Sequence, residues 1–534
     1  MKLACIIFIA LWHPGIATYV WPARFDYLED LYAMYIGSIK SGFTDRNHSG
    51  RGLRPIENAA ERVRTAFHDS ITYSKKTRRG GLDASIMFEL DRDENKGAAF
   101  NNTLNAVRDL VTAKSSVADL LALSLAASSV TCEGPQIPLR FGRIDAQAAG
   151  PAGVPLPTDS VEVATRAFVN AGFTQEEMIT LVACGHTLGR VHSVDFPNLV
   201  EGAPSQENNA DFDTTRLKFD NLVVTEFLSN NTKNPLVIAK DETFHSDKRI
   251  FSIGNRAVMQ KLNDPTTYQK QCATLLERMI NTVPGNVKLS APVAPIDMKP
   301  YITTLQLQDD GNILFEGRLR FRSASFAGQD PKDLAVSLRL TTFDRSKTNL
   351  VVQAAPATFS SSANEVFAWF EFSTVVAGRG GIRSFEVQTK SKSQAKARVV
   401  TYNNAGTGGY PVNTNIMYQL TNSCLDTSAS PGKLTIVAAM RRSRFGPRRG
   451  ARAGPQLHLS RLVPRPGVMI PRLQADVLRM QKTQKQIGQY DIYRIETQLE
   501  SPSWSSTFAL GTMRRPARDL LFLKELSAKK CEEL

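Results

Sequence analysis

Leu181-Val182-Ala183-Cys184-Gly185-His186-Thr187-Leu188-Gly189-Arg190 is the stretch whose reading decides the fold of the N-terminal half. Thr174 to Glu177 ahead of it has the capping-box pattern, and Met178, Leu181 and Val182 follow at helical spacing. The helix is therefore expected to end at or soon after Gly185, which leaves His186 at the C-terminal end of an apolar helix. An imidazole placed there can ligate haem iron, with Gly185 and Gly189 giving the backbone room beside a macrocycle, or it can be a core histidine at a helix end. Seven histidines in 534 residues are few, so a second one with patterned neighbours is informative. His68 lies in Arg64-Thr65-Ala66-Phe67-His68-Asp69, where Arg64 and His68 share a helical face and Asp69 turns away from it. A guanidinium beside an imidazole suits cleavage of a peroxide: the imidazole takes a proton from one oxygen and returns it to the other, while the cation stabilises the charge that develops.

Outward from these motifs, residues 57 to 283 step in threes and fours between Gly/Pro loops, the pattern of a mostly α domain. Ser116 to Ser129 is apolar around most of its circumference, as a helix at the centre of a large domain must be. Leu275, Leu276, Met279, Ile280 and Val283 form a last stripe before Pro284. From about Leu289 the period changes to two. Leu305 and Leu307, the Asp310-Gly311 turn, then Leu319 and Phe321 read as a hairpin, and Leu334, Val336, Leu338 and Leu340 alternate with polar residues. The expected architecture is multidomain, a mainly α unit followed by an antiparallel β-sandwich-like region. Its expected boundaries are a signal peptide at 1–17, an α domain at 18–288, a β-rich domain at 289–440, a basic Arg/Pro-rich linker or disordered segment at 441–467, and a continuation of the β region with a tail at 468–534.

Of the net charge of +14, +12 falls from Lys433 onward, where 20 lysines and arginines face 8 acids. The basicity belongs to the tail, which argues against a nucleic-acid partner for the main domain. Lys2, the apolar run Leu3 to Leu11, and the small residues Gly15 and Ala17 predict a secretory signal, and no segment has the apolar length of a membrane span. Asn47 and Asn230 begin glycosylation sequons. Without Cys5 five cysteines remain, Cys132, Cys184, Cys272, Cys424 and Cys531, an odd number whose connectivity the sequence leaves open.

Taken in order, RTAFHDS, GGLDASIMF, ADLLALS, FGRIDA, LVACGHTLGR, FDTTRLKFDN and HSDKRIF resemble the plant-type haem peroxidase superfamily, and among its members the secreted fungal class II-like enzymes. The resemblance covers roughly residues 25 to 285. It implies haem b, with Arg64 and His68 as the distal pair, His186 as the proximal iron ligand and Asp247 as the carboxylate that accepts the other imidazole proton. It implies Asn101 as the residue orienting His68, at a spacing from Glu94 that departs from the family, and Phe212 where some relatives place a proximal tryptophan. It also implies two calcium ions, one on Asp69, Gly81, Asp83 and Ser85, the other on Thr187, Asp213, Thr215, the Lys218 carbonyl and Asp220. The activity implied is reduction of H2O2 through a ferryl species, with one-electron donors of phenolic or aromatic type.

Two departures narrow the substrate question. Leu181 stands where a surface tryptophan would serve long-range electron transfer. Glu57 and Glu61 occupy the positions of manganese-binding glutamates, but His192 replaces the third carboxylate. The β region, which has no evident catalytic constellation, is expected to attach the enzyme to a surface or polymer or to pack against the α domain. The rival readings are a noncatalytic binding or adhesion protein on the same scaffold, and a zinc site built from Cys184, His186 and His192, whose spacing fits no common zinc pattern.

Overall fold

A computed structural model describes residues 19–34, 57–326, 330–343, 347–361, 365–394, 398–428, 431–442, 454–499, 506–512, 521–522 and 526. The expected signal peptide and the Asn47 sequon lie outside these residues. The α unit contains α1 (Asp26–Ala33), α2 (Glu57–Ile71), α3 (Ala99–Arg108), α4 (Val117–Thr131), α5 (Val161–Ala171), α6 (Gln175–Gly185), α7 (Leu222–Leu228), α8 (Pro235–Ile238), α9 (Ser246–Phe251), α10 (Ala257–Leu262) and α11 (Pro265–Ile280). A small hairpin, β1 (Arg190–His192) with β2 (Asn209–Asp211), follows α6.

Helix α4 is the axle of this unit. Ser116 caps it by accepting from Asp119 N, and every residue from Val117 to Ser129 is buried, so it has no wet face and needs neighbours all round. Helix α2 packs along it. At its start Asp119 forms a buried ion pair with Arg143 at 3.0 Å, and Arg143 Nη2 continues to the Ile280 carbonyl at the end of α11. A disulfide joins Cys184 of α6 to Cys272 of α11. Cys132 is buried, and Cys424 is itself disulfide-bonded.

The remainder is antiparallel β structure in two units. The first comprises β3 (Met298–Leu307), β4 (Ile313–Arg322), β5 (Leu334–Thr341), β6 (Lys347–Ser361), β7 (Val366–Val376), β8 (Ser384–Ser391), β9 (Val400–Tyr402) and β10 (Tyr410–Pro411) in one eight-stranded sheet. The hairpin expected around Asp310-Gly311 is β3–β4, with Leu307 opposite Ile313. This sheet folds over its own core: Phe315 of β4 meets Phe385 of β8 at 5.8 Å. The second unit has β11 (Ile416–Tyr418), β12 (Cys424–Asp426) and β13 (Gly432–Arg441), then β14 (Gln456–Arg465), β15 (Val468–Arg479), β16 (Gln481–Ile487), β17 (Tyr490–Leu499), β18 (Thr507–Gly511) and β19 (Leu521–Phe522). Sheets built on β13–β17 and on β14–β18 close over Leu434, Ile436, Leu457, Leu459 and Phe508.

Two expected boundaries change. The segment 441–467, read as a linker, contains strand β14, whose Leu457 and Leu459 are buried. Residue 440 ends nothing, because β13 pairs along its whole length with β17, from Gly432–Leu499 to Arg441–Tyr490. Alternation in β14 is interrupted by arginines and by Pro464, which conceals its period.

The first β unit is fastened to α1 by buried charges. Lys299 Nζ reaches Glu29 Oε2 at 3.0 Å and Asp30 Oδ1 at 2.7 Å, while Arg320 reaches Glu29 at 2.5 Å and Asp30 at 3.2 Å. Burial works against ionisation of Glu29, yet Arg320 and Lys299 hold its carboxyl down to about 2. Burial and the neighbouring Glu29 push Asp30 up to about 6, against the pull of Lys299. Removing one partner strands the others in a dry site, so Arg320→Ala should destabilise the chain by about 3–5 kcal/mol, read as a lower urea midpoint.

Candidate active site

His68 and His186 line the same cavity, of about 280 Å³, with Phe67, Ala99, Phe168, Leu181, Leu188 and Phe212 among its walls. The first histidine comes from the last turns of α2, the second from the C-cap of α6, where the capping box Thr174–Glu177 fixes the far end of the helix. Gly189, at φ +88, passes so close to α2 that an added Cβ would lie 2.5 Å from the Ala60 Cβ.

On the α6 side, His186 Nδ1 bonds Asp247 Oδ2 at 2.8 Å, and Asn234 Nδ2 donates to the same oxygen at 2.7 Å. Asp247 is 1 % exposed. With Nδ1 engaged, Nε2 is the nitrogen left for the cavity. Phe212 lies flat on the imidazole, 4.6 Å between centroids and 7° between planes. Asn234 was not anticipated; its Asn-Pro start to α8, where its side chain also accepts from Leu236 N, was the available signal.

On the α2 side, His68 Nδ1 bonds Asn95 Oδ1 at 2.9 Å, and Asn95 Nδ2 donates to the Glu89 carbonyl at 2.9 Å. The residue that orients His68 is therefore Asn95 and not Asn101. Asn101 is exposed on α3, while Thr103, the third residue of the sequon it begins, is buried. Family spacing counted from Glu94 had selected the farther asparagine; the short turn Asp93–Asn95 brings the nearer one under the ring. Phe100 packs edge-on against His68 at 4.8 Å and lies beneath the Arg64 guanidinium at 4.7 Å. Arg64 Nη2 donates to the Lys96 carbonyl at 2.9 Å. Burial and the Arg64 charge hold His68 down to about 3, while burial lowers Arg64 to about 10 against the pull of Asp195 and Glu61. At neutral pH the pair is thus a free base beside a cation.

Members of each expected calcium set are joined by hydrogen bonds. Asp69 accepts from Ala84 N at 2.6 Å, Ile86 N at 2.9 Å and Ser85 Oγ at 3.3 Å, and Gly81 holds φ +94 against the Thr282 carbonyl. Burial and Asp83 drive Asp69 well above the carboxylate range. In the other set Thr215 Oγ1 bridges Asp213 and Asp220, Thr187 Oγ1 donates to the Asp220 carbonyl at 2.6 Å, and the Lys218 carbonyl accepts from Asp220 N. Asp213 Oδ2 is buried without a hydrogen-bond partner, and burial with Asp220 and Glu226 lifts the carboxyl to about 7.

Glu61 accepts from Asn102 Nδ2 at 2.7 Å, His192 Nδ1 donates to the Gln206 carbonyl at 2.8 Å, and the Glu57 side chain lies outside the described residues. Among the described residues no group of three or more His, Cys, Asp or Glu side chains is arranged to hold a metal. Cys184 is committed to its disulfide, which removes the zinc reading.

A sequence model of the peroxidase family matches residues 39–260. L-ascorbate peroxidase 5 of Arabidopsis thaliana, peroxisomal, is 32 % identical over 209 residues, 38 % of this chain and 67 % of the relative. Cytosolic L-ascorbate peroxidase 2 of the same plant is 30 % identical over 202 residues, 37 % of this chain and 76 % of its own length. The chain belongs to the plant- and fungal-type haem peroxidase superfamily. A WSC domain-containing protein of Arthroderma benhamiae is 39 % identical over 314 residues, 57 % of this chain, and the matched part spans 43 % of that protein. In this peroxidase chain the matched family region coincides with the two histidines and stops before the β units.

A histidine held near 3 when folded but near 6.5 when unfolded makes the unfolded chain bind the extra proton between those values. Stability contributed by neutral His68 is full above about pH 6.5 and is lost as pH falls toward 3. Denaturant titrations of the apo chain between pH 7 and 4 should therefore show a shallower loss for His68→Leu than for the wild type.

Proposed function

We propose that the chain is a secreted haem peroxidase that reduces H2O2 to water with electrons from two one-electron donors, phenolic or aromatic compounds being the expected class. The observation that carries this reading is the facing pair of imidazoles, one bonded to a carboxamide and the other to a buried carboxylate. The residues fit haem b: an apolar cavity, and one histidine whose Nδ1 is occupied and whose Nε2 is directed to the space within. Bound on His186, the haem would supply the redox-active iron at which peroxide is reduced.

The chain's own groups supply the rest. Asp247 accepts the Nδ1 proton, which raises the donor strength of Nε2, and Phe212 restrains the ring. Neutral His68 accepts a proton from one peroxide oxygen and delivers it to the other, so that water leaves; Arg64 stabilises the negative charge that forms as the O–O bond breaks. Asn95 keeps the His68 base nitrogen turned to the cavity by engaging Nδ1. Phe212 in place of a tryptophan favours oxidation of donors at the cavity edge over a radical on that ring. Secretion is supported by the apolar N-terminal run and by the Cys184–Cys272 disulfide, which suits an oxidising compartment.

Haem-reconstituted protein should show a Soret band that shifts on one equivalent of H2O2. The band should be lost or altered in His186→Ala, and the rate of the peroxide-driven shift should fall by about 10²–10⁴ in His68→Leu. Absence of haem binding, or haem that ignores peroxide, would overturn the reading.

Two Ca²⁺ ions are part of the proposal, because buried carboxylates that raise each other or stand unpartnered need a countercharge. Calcium should raise the Tm of the protein and EDTA should lower it. Asp213→Asn should abolish part of that response while leaving the rest to the Asp69 set.

A further inference from the structure

The hairpin β14–β15 belongs to the second β unit by strand pairing, yet one of its faces lies in the catalytic core. Leu462 and Ile470 are buried in the same cluster as Met87, Phe100 and Leu104, with Val468, Met469 and Leu473 packed on it. Strand β15 runs against α3 and against the 3₁₀ turn Ser85–Phe88. At the hairpin tip the Arg465 guanidinium sits 5.0 Å over the Phe88 ring, and Nη2 reaches Met87 Sδ at 3.3 Å. Nε and Nη2 also donate to the Ile470 carbonyl at 3.1 and 2.9 Å, which locks the side chain across its own turn.

Those two elements hold the distal pair. The residue after Phe88 is Glu89, whose carbonyl anchors Asn95 Nδ2, and the other end of that carboxamide sets His68. The turn also grips Asp69, next to His68, through Ile86 N and Ser85 Oγ. On α3, Phe100 touches both His68 and Arg64. The turn is a single loop of 3₁₀ helix, too short to be stiff by itself. Its stiffness must come from what packs on it: helices α2 and α3 and, from the second β unit, strand β15.

We propose that hairpin β14–β15 positions the distal histidine, with Arg465 as a positioning residue that acts through Phe88, Glu89 and Asn95. The second β unit then sets the efficiency of the reaction with peroxide, which rests on the function proposed above. A base displaced by a fraction of an ångström loses alignment with the peroxide proton, while donors that react at the cavity edge do not sense it.

The test uses the full chain as wild type, Arg465→Ala and Arg465→Lys. With H2O2 and guaiacol as substrates, Arg465→Ala should lower kcat/KM for peroxide by about fivefold and leave kcat/KM for guaiacol, the Soret position and the Tm unchanged. Arg465→Lys, which keeps a cation over the Phe88 ring, should recover most of the loss. Hydrogen exchange on the haem-free chain should quicken in peptides covering 84–96 in Arg465→Ala and stay the same across α4. Unchanged peroxide efficiency overturns the proposal, whatever exchange shows. A parallel fall for both substrates with a lower Tm overturns it too, because the hairpin would then only support the fold. If the wild type ignores peroxide, the peroxidase reading fails separately, and faster exchange at 84–96 alone would still uphold the mechanical link, whereas unchanged exchange would break it.

Discussion

The 2.8 Å hydrogen bond between His186 and Asp247 is the constraint around which the α unit is arranged. A carboxylate this deeply buried is tolerated only when its oxygens are met: Asn234 and the imidazole meet Oδ2, and Ser246 Oγ donates to Oδ1 at 3.4 Å. That requirement brings α6, α8 and α9 to one point and directs the remaining imidazole nitrogen into the cavity. The facing histidine has a different partner: Asn95 offers a neutral carboxamide, and Arg64 adds a positive charge. One imidazole is made electron-rich beside an anion and the other is kept a free base beside a cation. The difference between the two faces of the cavity is written in that choice of partners, aspartate against asparagine.

Much of the α unit was legible because its signals are local. The capping box before α6, the mostly apolar α4 and the i, i+4 placement of Arg64 and His68 are short-range patterns, and the structure realises each of them. The partners of the histidines were legible only where a motif carried them. Asp247 sits in such a motif and was found; Asn95 and Asn234 are loop asparagines brought in by chain reversal, and nothing in local periodicity distinguishes them from Asn101. Phe100 was missed for the same reason, since an apolar residue on an amphipathic helix reads as core and the sequence does not say which ring it will touch.

The β region was legible as a class and poorly as a plan. Alternation marked β3, β4, β5 and β8, and it is cleanest in β5, where every second residue is buried. It failed at β14, where arginines and a proline break the period, and at the boundary drawn near residue 440. Strand β13 finds its neighbour β17 far downstream, and the intervening hairpin leaves to pack elsewhere. Register between distant strands depends on which faces become dry, and that is settled by the whole assembly.

The shared core between hairpin β14–β15 and the α unit has a consequence for how the chain is made. Arg465 meets Met87 across 378 residues of sequence, so a loop of that span must close before the hairpin can pack on the turn Ser85–Phe88. The entropy of such closure grows only slowly with length, so the finished protein bears little burden from it. The emerging chain is another matter. Translation delivers residues in order at a limited pace, and until the hairpin has left the ribosome the face of α3 that β15 covers stays bare. The α unit therefore passes through a period in which the His186–Asp247 side of the cavity can already be assembled while the turn beside His68 waits for the last fifth of the polypeptide.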